Sequence, residues 1–138
     1  MTKRTYHGSC HCGAVRFECE ADLIAGTSRC NCSICGKGRF WKAIVMAPDF
    51  RLLQGEESLS DYQFDGAAGG TIHHLFCRRC GVKPFGRGHM EALGGTFYGV
   101  NIACLDDVTA EELSALPVQF EDGRTGHWER APAETRYL

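Results

Sequence analysis

The sequence has no long apolar run. Nothing in its 138 residues approaches the ~20 consecutive apolar residues of a membrane-spanning helix, and the basic N-terminal segment is not followed by the apolar stretch of a secretory signal. Neither charge is in large excess, because 15 Lys and Arg stand against 17 Asp and Glu. We therefore expect a cytoplasmic protein with no membrane partner and no nucleic-acid partner recruited by overall charge.

Patterns typical of helices are scarce. The clearest is Thr109-Ala110-Glu111-Glu112, which has the spacing of a capping box and predicts one short C-terminal helix that ends before Pro117. Elsewhere, short segments alternate apolar and polar residues or are rich in aromatic and β-branched ones, as in Ala14–Glu20. Further strands are predicted near 28–30, 40–46, 50–53, 59–64, 71–76, 83–87, 96–103 and 118–120, with a flexible loop at 65–70. The chain is expected to be one small, mainly β, antiparallel domain.

Cysteine is unusually abundant, with nine residues. Because a reducing cytosol disfavours structural disulfides, metal binding is the natural explanation. Seven cysteines form three groups that each end in Cys-Gly, where a glycine with positive φ can turn backbone N–H groups toward the thiolates, as in zinc knuckles. The groups are Cys10-His11-Cys12-Gly13, Cys30-Asn31-Cys32-Ser33-Ile34-Cys35-Gly36 and Cys77-Arg78-Arg79-Cys80-Gly81. Cys19 and Cys104 lie outside the groups and are predicted to be small buried apolar side chains.

Seven thiolates divide most simply into a closed site of four sulfurs and an open site of three. A single loop can present Cys30, Cys32 and Cys35 to one ion, so the two pairs, Cys10 with Cys12 and Cys77 with Cys80, are assigned to one structural zinc site. Such a site would close a long loop between the start and the middle of the chain. A redox or disulfide pair and a single zinc with spare cysteines are the alternatives.

The three-cysteine group leaves the fourth position of a tetrahedral zinc ion open. A protein His or Asp could complete it as a structural site, or the position could serve catalysis. A three-cysteine group that binds no metal is the remaining alternative. Three thiolates make zinc a weak Lewis acid, so the ion is expected to hold a soft thiolate in preference to activating water. The spacing therefore favours thiol chemistry at Cys30, Cys32 and Cys35.

The cysteine motifs, in this order and spacing, resemble those of the glutathione-dependent formaldehyde-activating enzyme family, whose domain also occurs in a centromere protein. The resemblance covers residues 6–130 or so of a single zinc-binding domain expected at 1–138. It implies a β-tent fold and two zinc ions per chain, a structural one on Cys10, Cys12, Cys77 and Cys80 and a second on Cys30, Cys32 and Cys35. In the family the second zinc is thought to receive the sulfur of glutathione, which adds to formaldehyde to give S-hydroxymethylglutathione, a carbon–sulfur lyase reaction.

A thiol such as glutathione carries carboxylates, so we expect basic side chains near the second zinc to bind them. Lys37, Arg39 and Arg87 are the candidates chosen, and Lys42 and Arg124 are also plausible. The chain departs from the family's common Cys-Gly-Ser after the second pair, where it has Cys80-Gly81-Val82-Lys83. The expected partners are a small-molecule thiol and an aldehyde. A non-catalytic, zinc-stabilised binding module is the alternative function, and a nucleic-acid reader is a weaker third.

Overall fold

The computed structural model of the chain describes residues 2–65 and 72–138. These ranges contain ten strands and two α-helices. The strands are β1 Arg4–Ser9, β2 Arg16–Ala21, β3 Thr27–Cys30, β4 Trp41–Met46, β5 Phe50–Gln54, β6 Leu59–Tyr62, β7 His73–Cys77, β8 Phe85–Met90, β9 Gly95–Asn101 and β10 Val118–Glu121; the helices are α1 Ser33–Gly38 and α2 Ala110–Ala115. The expected loop at 65–70, apart from Asp65, and the first residue of the strand predicted at 71–76 lie outside the described residues.

The strands form two sheets. One has the order β1-β2-β5, and the other has the order β10-β3-β4-β9-β8-β7-β6. Neighbouring strands run antiparallel except that β10 lies parallel to β3, so the larger sheet is mixed. The mainly β class predicted from the sequence is confirmed. The parallel pairing matters for function because it carries the chain after Glu121 alongside the end of β3.

Aromatic side chains from both sheets fill the core between them. Phe17 and Phe50 come from the smaller sheet, and Phe85 and Tyr98 come from the larger one. The rings of Phe50 and Tyr98 stack with centroids 3.8 Å apart, and Phe85 meets Phe50 edge-on at 4.8 Å. Burial of large aromatic surfaces is the main stabilising term in such a core. The alternation of Ala14–Glu20 is also confirmed, because β2 buries every second residue.

The predicted C-terminal helix is α2, and its capping box is present. The Thr109 hydroxyl accepts a hydrogen bond from the Glu112 amide at 3.1 Å, and the Glu112 carboxylate accepts one from the Thr109 amide at 3.2 Å. The other helix, α1, occupies the three-cysteine segment, where a loop was predicted. Among the described residues, no helix has the length and apolar character needed to span a membrane.

Candidate metal centre and thiol site

Four cysteines from distant parts of the chain meet at one point. Cys10 and Cys12 follow the end of β1, whereas Cys77 ends β7 and Cys80 follows it. All four sulfurs lie within 4.8 Å of one another, and Cys12 Sγ is 3.7 Å from both Cys10 Sγ and Cys77 Sγ. Because β1 and β7 belong to different sheets, a metal ion held here would connect the two sheets directly.

Glycine allows both halves of this four-cysteine group to turn. Gly13 has φ 81° and Gly81 has φ 79°, the left-handed conformation expected of a knuckle glycine. The turn after Cys12 brings the Val15 amide 3.3 Å from Cys10 Sγ, to which it donates a hydrogen bond. Donors of this kind stabilise thiolates and orient them toward a metal.

The environment of the four-cysteine group favours ionised sulfur at Cys77 and Cys80. Amide donors of Cys12 and Val82 lower the pKa of Cys80 to about 6, and those of Cys80 and Arg79 lower the pKa of Cys77. At Cys12 the Ala14 amide acts in the same direction, but desolvation and the neighbouring cysteines raise the pKa of the thiol to about 11. Four thiolates in a small space suit a tetrahedral, thiophilic ion such as Zn²⁺. The residues therefore fit a closed metal site.

The three-cysteine group has a different form. Cys30 is the buried last residue of β3, Cys32 caps the start of α1, and Cys35 lies within that helix. The Cys32 amide donates a hydrogen bond to Cys30 Sγ at 3.4 Å. In the parts of the chain that the structure describes, only the four-cysteine group gathers its ligand atoms within 4.8 Å. The expectation of a positive φ after the third cysteine is wrong for Gly36, because this residue is helical.

Asn31 fixes the turn between Cys30 and Cys32, and its role was not predicted. Its side chain is buried, donates to Asp122 Oδ1 at 2.9 Å and accepts from the Arg124 amide at 2.9 Å. Buried amides are costly unless they are hydrogen-bonded, so this network holds the three-cysteine segment against the chain that follows β10. The signal in the sequence was a polar residue between two cysteines, whose distant partner only the fold reveals.

Gly123 packs directly on Cys30. A Cβ atom at position 123 would lie 2.5 Å from Cys30 Sγ and 2.9 Å from Trp128 Nε1, closer than van der Waals contact allows. The sulfur of Cys30 is therefore covered by backbone from the segment after β10, with Trp128 beside it.

The variant Gly123→Ala is expected to destabilise the protein by about 1–3 kcal/mol, because the added methyl group must displace buried Cys30 or Trp128. Urea unfolding measures this loss, and elemental analysis shows whether a metal bound to the three-cysteine group is lost with it. Gly38→Ala is the matched control, since a Cβ there meets no atom within 4 Å and the position is helical. Equal stability of the two variants would contradict the close packing at Cys30.

Two lysines act on the third cysteine of the group. A hydrogen bond from Cys32 lowers the pKa of Cys35 to about 7, and the positive charges of Lys42 and Lys83 act in the same direction. Lys42 was among the plausible candidates, whereas Lys83 was not predicted. The available signal was its position directly after Cys80-Gly81-Val82, where the chain departs from the family pattern.

A cleft of about 340 Å³ lies next to α1. Its walls are apolar for the most part, with two polar side chains among them. The lining residues are Ile34, Gly38, Phe40, Gly81, Val82, Lys83 and Asn101. A cleft of this kind, with few polar groups, can hold a small ligand, and its wall residue Ile34 directly precedes Cys35 in α1.

The three basic residues chosen for substrate carboxylates lie apart from one another. Lys37 is exposed on α1, and the Arg39 guanidinium donates to the carbonyl oxygen of Tyr137 at 2.7 Å. Arg87 lines a separate cleft of about 200 Å³ with Phe50 and Tyr98. Their assignment to a substrate stays a prediction.

Comparison with known proteins decides the family. Residues 5–120 match the family model described as glutathione-dependent formaldehyde-activating enzyme. The chain belongs to this family. A curated relative from Halomonas elongata, provisionally named a glutathione-dependent formaldehyde-activating enzyme, is 39% identical over 79 residues. That alignment covers 53% of this chain and 50% of the relative, so the chain spans half the length of the relative that it matches.

A solved structure shows a similar fold. The crystal structure of a protein from Rhodobacter sphaeroides superposes with a TM-score of 0.66 at 35% sequence identity, covering 82% of this chain and 99% of that one. Membership of the glutathione-dependent formaldehyde-activating family, inferred above from cysteine spacing, is thereby confirmed.

Proposed function

We propose that the protein is a zinc-dependent carbon–sulfur lyase that adds glutathione or a similar thiol to formaldehyde or another small aldehyde. In this proposal Cys10, Cys12, Cys77 and Cys80 hold a structural zinc ion, and Cys30, Cys32 and Cys35 hold a second one. The observation that carries the proposal is the cleft next to α1, which is lined by Ile34, the neighbour of Cys35 in the helix, and by Lys83. The lowered pKa of Cys35, about 7, is consistent with a thiolate at this place. A cytoplasmic location belongs to the same proposal.

The residues of the chain have separate parts in this reaction. Zinc at the second site would hold the incoming sulfur as its thiolate. The Asn31 network fixes the strand end and the helix start that carry the cysteines. The apolar walls at Ile34, Phe40 and Val82 exclude water from the aldehyde. The sulfur forms a bond to the carbonyl carbon, the carbonyl π pair moves to oxygen, and the oxygen takes a proton, which gives the hydroxymethyl thioether.

The test follows formation of S-hydroxymethylglutathione from ¹³C-formaldehyde by NMR exchange spectroscopy, with the cobalt-substituted protein titrated with glutathione in parallel. We expect exchange faster than in protein-free buffer and a change in the cobalt ligand-field spectrum on thiol binding. If glutathione leaves both the spectrum and the exchange rate unchanged, the chain is a zinc-stabilised binding module instead.

A further inference from the structure

Lys83 is a partly buried cation that forms no ion pair with a carboxylate among the described residues, whereas Lys42 is paired with Glu121 at 2.9 Å. Burial lowers the pKa of Lys83, and the thiolate charges of Cys35 and Cys32 oppose this. Charged groups taken out of water are normally compensated by an opposite charge. Because no carboxylate neutralises it, the charge of Lys83 is available to the Cys35 thiolate and to negative charge that arises on a ligand in the cleft.

Hydrogen bonds hold Lys83 at its backbone and at the tip of its side chain. Its carbonyl oxygen accepts a hydrogen bond from the Asn101 side chain at 2.8 Å, and its Nζ lies 2.9 Å from His74 Nδ1. The ammonium also lies 4.2 Å from the centre of the Phe40 ring, which is another wall of the same cleft. A protonated lysine can only donate, so His74 accepts one of its three N–H bonds and the others remain free for a ligand.

We infer that Lys83 is a further catalytic residue, which donates a hydrogen bond and then a proton to the aldehyde oxygen, and that His74 is the residue that positions it. This inference rests on the function proposed above. It implies an aldehyde small enough to lie between Lys83 and the three-cysteine group.

The proposed step balances in atoms and charge. The thiolate sulfur donates an electron pair to the carbonyl carbon, and the carbonyl π pair moves to the oxygen. The Lys83 ammonium gives that oxygen a proton and becomes a neutral amine. The proton released when the thiol ionised returns to the amine through solvent, so the net reaction is thiol plus aldehyde giving hydroxyalkyl thioether.

The variant Lys83→Met tests the inference because it keeps an unbranched side chain, one heavy atom shorter than lysine, and removes the charge and the donors. We expect kcat for S-hydroxymethylglutathione formation to fall about 100-fold. The charge of Lys83 is a minor contribution to the lowered pKa of Cys35, and a bound metal would itself keep that sulfur ionised. The KM for glutathione, the zinc content and the cobalt response to glutathione are therefore expected to stay as in the wild type. His74→Phe should lower kcat by a smaller factor with the same KM, since it removes only the group that orients Lys83.

Lys3→Met is the matched control, because this lysine is exposed and paired with Asp49 on another part of the surface. Lys83→Arg is a second variant, which retains the positive charge. Its kcat is also expected to fall, because the guanidinium N–H donors do not occupy the position of the lysine Nζ. An unchanged kcat in Lys83→Met would overturn the catalytic role of Lys83 but not the proposed function. Loss of the cobalt response together with kcat would do the same, because it would show that Lys83 supports the metal site and not the proton transfer. No acceleration in the wild type would instead remove the proposed function, and this inference with it.

Discussion

Replacing Cys12 with alanine is expected to destabilise the protein by at least about 3 kcal/mol, although the side chain is exposed and supports no core packing. Exposed substitutions usually change the free energy of unfolding by no more than about 0.5 kcal/mol. Structural zinc contributes about 10–16 kcal/mol in small zinc domains, and Cys12 would be one of four ligands. A large effect would therefore come from the metal and not from packing.

The reason for so large an effect lies in the topology. Cys12 and Cys77 are 65 residues apart, and the strand before Cys12, β1, belongs to a different sheet from β7, which ends at Cys77. The aromatic core otherwise holds these two sheets together. Urea unfolding with and without added zinc measures the loss, and elemental analysis measures the bound metal. His11→Ala is the control, because His11 is the exposed neighbour and the structure places it outside the four sulfurs. If the two variants unfold alike, the four-cysteine group is not a structural metal site.

The features that were predicted correctly from the sequence depend mainly on interactions between residues close to each other in the chain. The capping box at Thr109 was predictable because both of its hydrogen bonds join residues three positions apart. The knuckle turns at Gly13 and Gly81 were predicted from a glycine that follows two closely spaced cysteines, but the same pattern at Gly36 is helical, so the pattern alone did not decide the conformation. The pairing of the two cysteine pairs came from counting sulfurs, and the fold brings those four together.

The sequence did not reveal features that depend on distant contacts. Helix α1 contains Gly36 and Gly38 and has little intrinsic helix propensity, so its stability depends on tertiary contacts. The turn that leads into α1 is held by the hydrogen bond from Asn31 to Asp122, which lie 91 residues apart. Lys83 likewise gains its place from His74 and Asn101, whereas Lys37, close to the cysteines in sequence, points to the surface on α1. Proximity in sequence was a poor guide to which cations face the thiol site.

Replacing Cys35 with serine is expected to abolish the reaction and leave the fold intact. A serine hydroxyl is not ionised near neutral pH and is a poor zinc ligand, so the second metal site would lose one of its three protein ligands. We expect the zinc content to fall from two ions per chain to one and the cobalt spectrum to stop responding to glutathione. The exchange between formaldehyde and S-hydroxymethylglutathione should slow to the rate measured in protein-free buffer. The free energy of unfolding should fall by less than in Cys12→Ala, because a metal on Cys30, Cys32 and Cys35 closes only a loop of six residues, whereas Cys12 and Cys77 are 65 residues apart.

Cys19→Ser is the matched control for Cys35→Ser, and the two variants should have opposite effects. Cys19 is fully buried in β2 and outside both cysteine groups, so a serine hydroxyl there costs about 1–3 kcal/mol of stability while zinc content and rate are retained. Cys35 is only partly buried, so the same substitution there should remove activity without a comparable loss of stability. If Cys35→Ser keeps two zinc ions and the wild-type rate, Cys30, Cys32 and Cys35 are not the thiol site. If it unfolds the protein, the three-cysteine group is structural, because a metal needed only for catalysis would not be required for folding.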